Sequence, residues 1–153
     1  MLMRIAAVLC LCFSMVMGVN ALPLKKDVFA EDILVYINQF RVRQGLPKLH
    51  MHPHLTQEAV QHSADMAEHR VAFGHDGFAQ RIAHLQKKIQ TAQGGAENVA
   101  YNYKTAKIVA EGWIKSPGHR RNILGRYNQT GIGIVRDKSG KLYFTQLFLN
   151  STL

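Results

Sequence analysis

The hydrophobic period of this chain changes once along its length, and that change limits the folds open to it. Before Gly125 the apolar residues recur at helical spacing. After it, Gly131 to Val135 and Leu142 to Phe148 read as strands joined by the turn sequence Asp137-Lys138-Ser139-Gly140. Helices first and the clearest strands last, with no alternating strand and helix units, predict an α+β domain whose helices pack on a small antiparallel sheet. No repeat, linker or low-complexity stretch interrupts the chain, so a single domain is expected.

The helical part divides at its stop signals. Asp27 is a good N-cap, and Ala30, Ile33, Leu34, Ile37 and Phe40 define a first helix up to Gly45-Leu46-Pro47, with Asn38, Arg41 and Arg43 on or beside its polar face. Leu49 to Leu55 reads as a short extended piece in which His50, His52 and His54 would point the same way. That pattern permits a metal site, although Pro53 favours a solvated edge or turn. A second helix is expected from Thr56 to Arg70. His62, Asp65 and His69 could share a face of it, either as metal ligands or as an ordinary charged solvent face. After the turn His75-Asp76-Gly77, a third helix is expected from Phe78 to Lys87. A fourth, capped near Thr105, carries Trp113, the one tryptophan.

Ser116-Pro117-Gly118 ends that fourth helix, because proline stops the preceding helix and is tolerated in the first turn of the next. His119 follows directly, at the start of a short segment ending in Ile123 and Leu124. A histidine fixed between two helices can hold a metal or ligand, or can cap a neighbouring backbone group. Gln90 to Gly95 reads as a polar connection. It leads into Ala96-Glu97-Asn98-Val99-Ala100, where the small and apolar neighbours of Glu97 predict that its carboxylate points inward. A buried carboxylate needs a partner, which could be another side chain or the adjacent loop backbone.

The first 21 residues have the pattern of a secretory signal: Arg4, an apolar core from Ile5 to Met17, and small residues at Val19-Asn20-Ala21. That core is too short for a membrane span of ~20 apolar residues. Cys10 and Cys12 lie within it, so a processed chain holds no disulfide and depends on its hydrophobic core. The chain carries 19 lysines and arginines against 10 aspartates and glutamates, a net charge of +9. This excess favours anionic envelope surfaces, or serves only solubility. The scattered placement of the cations argues against nucleic acid.

Taken in order, Asn38 to Leu49, the His75 turn, Gly95 to Ala100, Trp113 to Leu124, and Gly131-Ile132-Gly133 with Tyr143 to Gln146 resemble the CAP superfamily of cysteine-rich secretory, antigen 5 and pathogenesis-related proteins, and more closely its bacterial SCP-domain branch. The resemblance implies an α-β-α sandwich and a secreted or periplasmic monomer. It also implies a cleft lined by His75, Glu97, Asn98, Ser116 and His119, in which His75, Glu97 and His119 would hold zinc or another divalent cation. In eukaryotic members a glutamate lies three residues after the helix tryptophan; here that residue is Ser116, leaving two imidazoles and one carboxylate, with Asp76 a possible addition.

Two functions follow from that resemblance. One is a cleft that binds a small ligand, lipid or peptide. The other is a zinc-dependent hydrolase with Glu97 as ligand or general base. The chain has no His-Glu-x-x-His or Gly-x-Ser-x-Gly motif, and no cysteine remains after processing, so binding is the expectation and an activity is left open.

Overall fold

The computed structural model describes residues 27–152; the expected signal segment lies outside them. Five helices and four strands follow in the order α1 (Val28–Arg43), β1 (His50–Met51), α2 (Pro53–Ala67), α3 (Phe78–Lys88), β2 (Ala92–Tyr101), α4 (Ala106–Lys115), α5 (Pro117–Ile123), β3 (Gln129–Arg136) and β4 (Leu142–Ser151). The sheet order is β1-β3-β4-β2. β2, β3 and β4 pair antiparallel, while the two-residue β1 runs parallel to β3, so the sheet is mixed rather than purely antiparallel.

Strand alternation divides the core between two faces. Phe144 and Phe148 of β4, Ile132 of β3, and Ala96 and Ala100 of β2 face α1 and α4, where they meet Ile33, Ile37, Val109 and Trp113. On the other face Leu147 and Leu149 meet Leu55, Ala59 and Leu85, while Val99 and Tyr143 meet Met66 and Ala67. Helices thus cover both faces, as an α-β-α sandwich requires. Gly131 and Gly133 let α2 lie directly on β3: a Cβ at Gly131 would stand 2.1 Å from the Leu55 carbonyl carbon, and one at Gly133 2.2 Å from that of Ala59.

The sequence-based expectations need revision at four places. Helix α2 begins at Pro53, with His52 as its N-cap accepting from the His54 N–H at 3.2 Å. His54 is therefore helical and only His50 lies in a strand, so the three histidines do not line one strand face. β2 occupies what reads as a polar connection, with a bulge between Gln93 and Ala96. The third correction concerns Arg41, which is 1% exposed rather than on the polar face. It donates to the carbonyls of Pro47, Ile123, Gly125 and Tyr127, which joins α1 to the segment after α5. Burial lowers its pKa. Finally, His62 is buried while Asp65 pairs with Arg70, so His62, Asp65 and His69 do not form a ligand set.

Candidate functional site

Glu97 is the centre of the site. It projects from the α2 face of β2 with its side chain 1% exposed, and both carboxylate oxygens accept hydrogen bonds. Arg81, one turn into α3, donates from Nε to Oε2 and from Nη2 to Oε1, both at 2.8 Å. This two-pronged geometry is the strong form of an arginine–carboxylate pair. The third Arg81 nitrogen donates to the Asp76 carbonyl at 2.8 Å, fixing the guanidinium against the turn that precedes α3.

His75 comes from the loop between α2 and α3. Its Nδ1 lies 2.9 Å from Glu97 Oε1. A carboxylate bonded to a guanidinium can only accept, so Nδ1–H of His75 donates to it. His62 supports this loop from beneath: its Nε2 is 3.0 Å from the Gly74 carbonyl and 3.9 Å from Glu97 Oε1. Burial is the largest influence on His62 and lowers its pKa; the Gly74 carbonyl opposes that shift and Arg81 adds to it. His119 reaches the site from α5. Its pKa is lowered, first by burial and then by the neighbouring His75.

Asn98 points the other way. It is fully buried, its Oδ1 accepts from Asn122 at 2.9 Å, and its amide donates to the His119 carbonyl at 3.4 Å. Asn98 therefore docks α5 on the sheet instead of lining the cleft, which corrects its placement among the ligand contacts. Asn122 also donates to the Glu97 carbonyl at 3.0 Å, and Trp113 Nε1 to the Val99 carbonyl at 3.3 Å. Both acceptors lie on the outer edge of β2, which side chains of α4 and α5 thereby cover in part.

The cleft itself, of about 630 Å³, straddles that edge. Phe73, Gly74 and His75 form one wall, and Tyr103, Gly112, Ser116 and His119 the other, with Val99 to Asn102 between them. A Cβ at Gly112 would lie 2.8 Å from the Tyr103 hydroxyl, so the glycine is what lets that ring lie against α4. Phe73 and Tyr101, about half exposed, meet with ring centroids 5.0 Å apart and planes tilted by 60°, and Tyr101 stacks at 6.1 Å on Tyr143 beneath it. His75, Ser116 and His119 line the cleft, Glu97 lies buried behind His75 and outside the lining, and Asp76 is exposed beside His75.

Arg81, Phe73 and Tyr101 also belong to the site, and the sequence holds no local signal for them. Each acts across a tertiary contact. Arg81 also bears on the divalent cation expected at His75, Glu97 and His119. Both oxygens of Glu97 are already bonded, and a metal there would face the guanidinium charge. His75 Nε2 and the His119 ring remain as donors, fewer than the three protein ligands that zinc takes at open sites. Among the described residues no cluster of three or more histidine, cysteine or carboxylate side chains could hold a metal. The donor set does not fit a resident divalent ion.

Comparison with known proteins agrees with this architecture. The profile of the CAP "Cysteine-rich secretory protein family" matches residues 34–148, and the chain belongs to this family. It is 33% identical over 124 residues to the membrane protein YlbC of Bacillus subtilis, covering 78% of this chain and 34% of that protein. An extracellular protein containing an SCP domain from Bacillus anthracis is similar in structure, with a TM-score of 0.69 and 26% identity over 80% of this chain and 40% of the other. An outer surface protein of Borrelia burgdorferi shares the fold, with a TM-score of 0.67 and 21% identity over 84% of this chain and 98% of the other. The chain spans only about a third of YlbC.

Proposed function

We propose that this domain is an extracytoplasmic binding module whose cleft holds a small ligand, lipid or peptide without a divalent ion. One observation carries the reading: Glu97 lies buried behind His75, where Arg81 and His75 take three of the about four acceptor positions of its carboxylate, which leaves it poorly placed to ligate a metal or act as a general base. What stays free is an apolar, aromatic-lined concavity with a few convergent polar groups, the His75 and His119 rings and Ser116, which is the usual make-up of a ligand pocket. The extracellular Bacillus anthracis relative supports placing the domain outside the cytoplasm, as does the signal-like first segment.

The test is a nuclear magnetic resonance titration of the labelled protein with three probes: chitotriose, dodecylphosphocholine below its micelle concentration, and a mixed hexapeptide library. At least one probe should move the His75, Ser116 and His119 resonances together. If none of the three moves them, the cleft is not a binding site and the reading fails.

A further inference from the structure

We infer that the occupant of the cleft is an extended peptide that adds as a strand to the free edge of β2. The inference rests on the binding reading above and names its ligand class. β2 is the terminal strand of the sheet, with β4 on one side and, among the described residues, no strand on the other. Its hydrogen-bonding direction alternates, and the structure fixes the phase: Asn102 N–H donates to the Leu142 carbonyl at 2.7 Å, toward β4. The neighbouring pair Tyr101 and Tyr143 is then of the non-hydrogen-bonded kind, which brings their side chains close and turns the Tyr101 N–H and C=O away from β4. Trp113 and Asn122 agree with this phase, since they donate to the carbonyls of Val99 and Glu97, two and four residues earlier on the same outer edge.

That edge is closed at one end and open at the other. The Glu97 and Val99 carbonyls are taken, whereas the N–H of Val99 and both backbone groups of Tyr101 have no partner on the outer side among the described residues. Val99 and Ala100 are buried as whole residues, 5% and 6% exposed, yet both line the cleft. Tyr101, which follows them on the strand, is half exposed and lines the same cleft. Unpaired strand-edge groups at the floor of a cleft are complementary to a peptide backbone, and not to a lipid chain.

The walls fit the same occupant. Phe73 and His75 stand on the face of the sheet shared by Glu97, Val99 and Tyr101, while Tyr103, Ser116 and His119 stand toward α4 and α5. An added strand lies ~4.8 Å from its neighbour and sends alternate side chains to opposite faces. One side chain would then rest against the tilted Phe73 and Tyr101 rings, and its neighbours would face Ser116 and His119. Asn102, at φ 63°, ends β2 and so ends the pairing, which makes the recognised segment short.

The test uses acetylated and amidated hexapeptides, randomised over neutral residues with one leucine, phenylalanine or tryptophan fixed, beside a version N-methylated at alternate amides. The plain peptides should shift the Val99 and Tyr101 amides and slow their hydrogen exchange. N-methylation should weaken binding about tenfold, as the loss of one or two backbone hydrogen bonds would. Phe73→Ala and Tyr101→Ser should each weaken it several-fold with unchanged thermal midpoints, since both side chains are half exposed. Equal binding of the N-methylated peptides, shifts that leave Val99 and Tyr101 unmoved, or no binding at about 1 mM would overturn strand addition. If chitotriose or dodecylphosphocholine still moves His75 and His119, the cleft reading survives that failure; if nothing does, both fall.

Discussion

Arg81 and Glu97 face each other from α3 and β2 as a two-pronged ion pair, with the glutamate side chain 1% and the arginine side chain 12% exposed. Breaking a buried pair from one side leaves an uncompensated charge, so Arg81→Ala should cost about 3 to 5 kcal/mol. Adding Glu97→Gln to that variant should return a substantial part of the loss, because the stranded charge is then gone. Chemical denaturation of the two single variants and the double variant measures the coupling. Additive losses would show that the pair does not act as a unit.

Acid should weaken the fold through His62 behind the cleft and His119 in its wall. The folded pKa of His62 is depressed by burial, and that of His119 by burial and then by His75. The unfolded chain therefore binds more protons than the native state below the reference value of ~6.5. The contribution of these two residues to stability is complete above that value and is lost as the pH falls from it through the lower folded values. His62→Gln, which keeps a donor for the Gly74 carbonyl, should flatten the decline. Midpoints measured from about pH 8 to pH 5 would show it.

The close approach of α2 to β3 gives a steric prediction. Gly133→Ala places a methyl carbon 2.2 Å from the Ala59 carbonyl carbon and from the Val60 nitrogen, and helix backbone cannot yield as a side-chain end can. The loss should be at least the roughly 1 to 3 kcal/mol typical of overpacking, and should appear as a lower melting midpoint. Gly118→Ala, with no atom within 4 Å of the added carbon, is the control and should melt as the parent does.

Trp113, 1% exposed, packs in the α1–α4 core and caps the β2 edge through Nε1. Trp113→Ala should cost about 3 to 5 kcal/mol, a large share of the ~5 to 15 of an ordinary domain. An unchanged midpoint would contradict its place in the core.

Much of this fold could be read from local pattern. The apolar spacing of α1, the Thr105 cap of α4, the Ser116-Pro117 corner and the β3–β4 hairpin each depend on residues close in sequence. β2 could not be read that way. Ala96 to Ala100 are all buried, one face toward α3 and the end of α2 and the other toward α4 and α5, so the strand shows no alternation, and Gly94 and Gly95 at its bulge look like a loop. The inward aim of Glu97 was legible from its neighbours, but its partner was not. Arg81 lies 16 positions away on another element, and only the packing of α3 against β2 brings the two together. Arg41 was hidden for the same reason: an arginine late in an amphipathic helix looks solvated until the carbonyls it serves, three of the four more than 80 positions on, are in place.

The most direct measurement is the long-range nitrogen–proton spectrum of the imidazoles, recorded first on the protein alone, then with the hexapeptide library, and separately with zinc. The account predicts that His75 carries its proton on Nδ1. It predicts also that the peptides move the His75 and His119 ring signals together with the Tyr101 amide, while zinc leaves the Glu97-bound Nδ1 of His75 in place. Ring signals that ignore every probe and respond only to zinc, with loss of the His75–Glu97 bond, would contradict it.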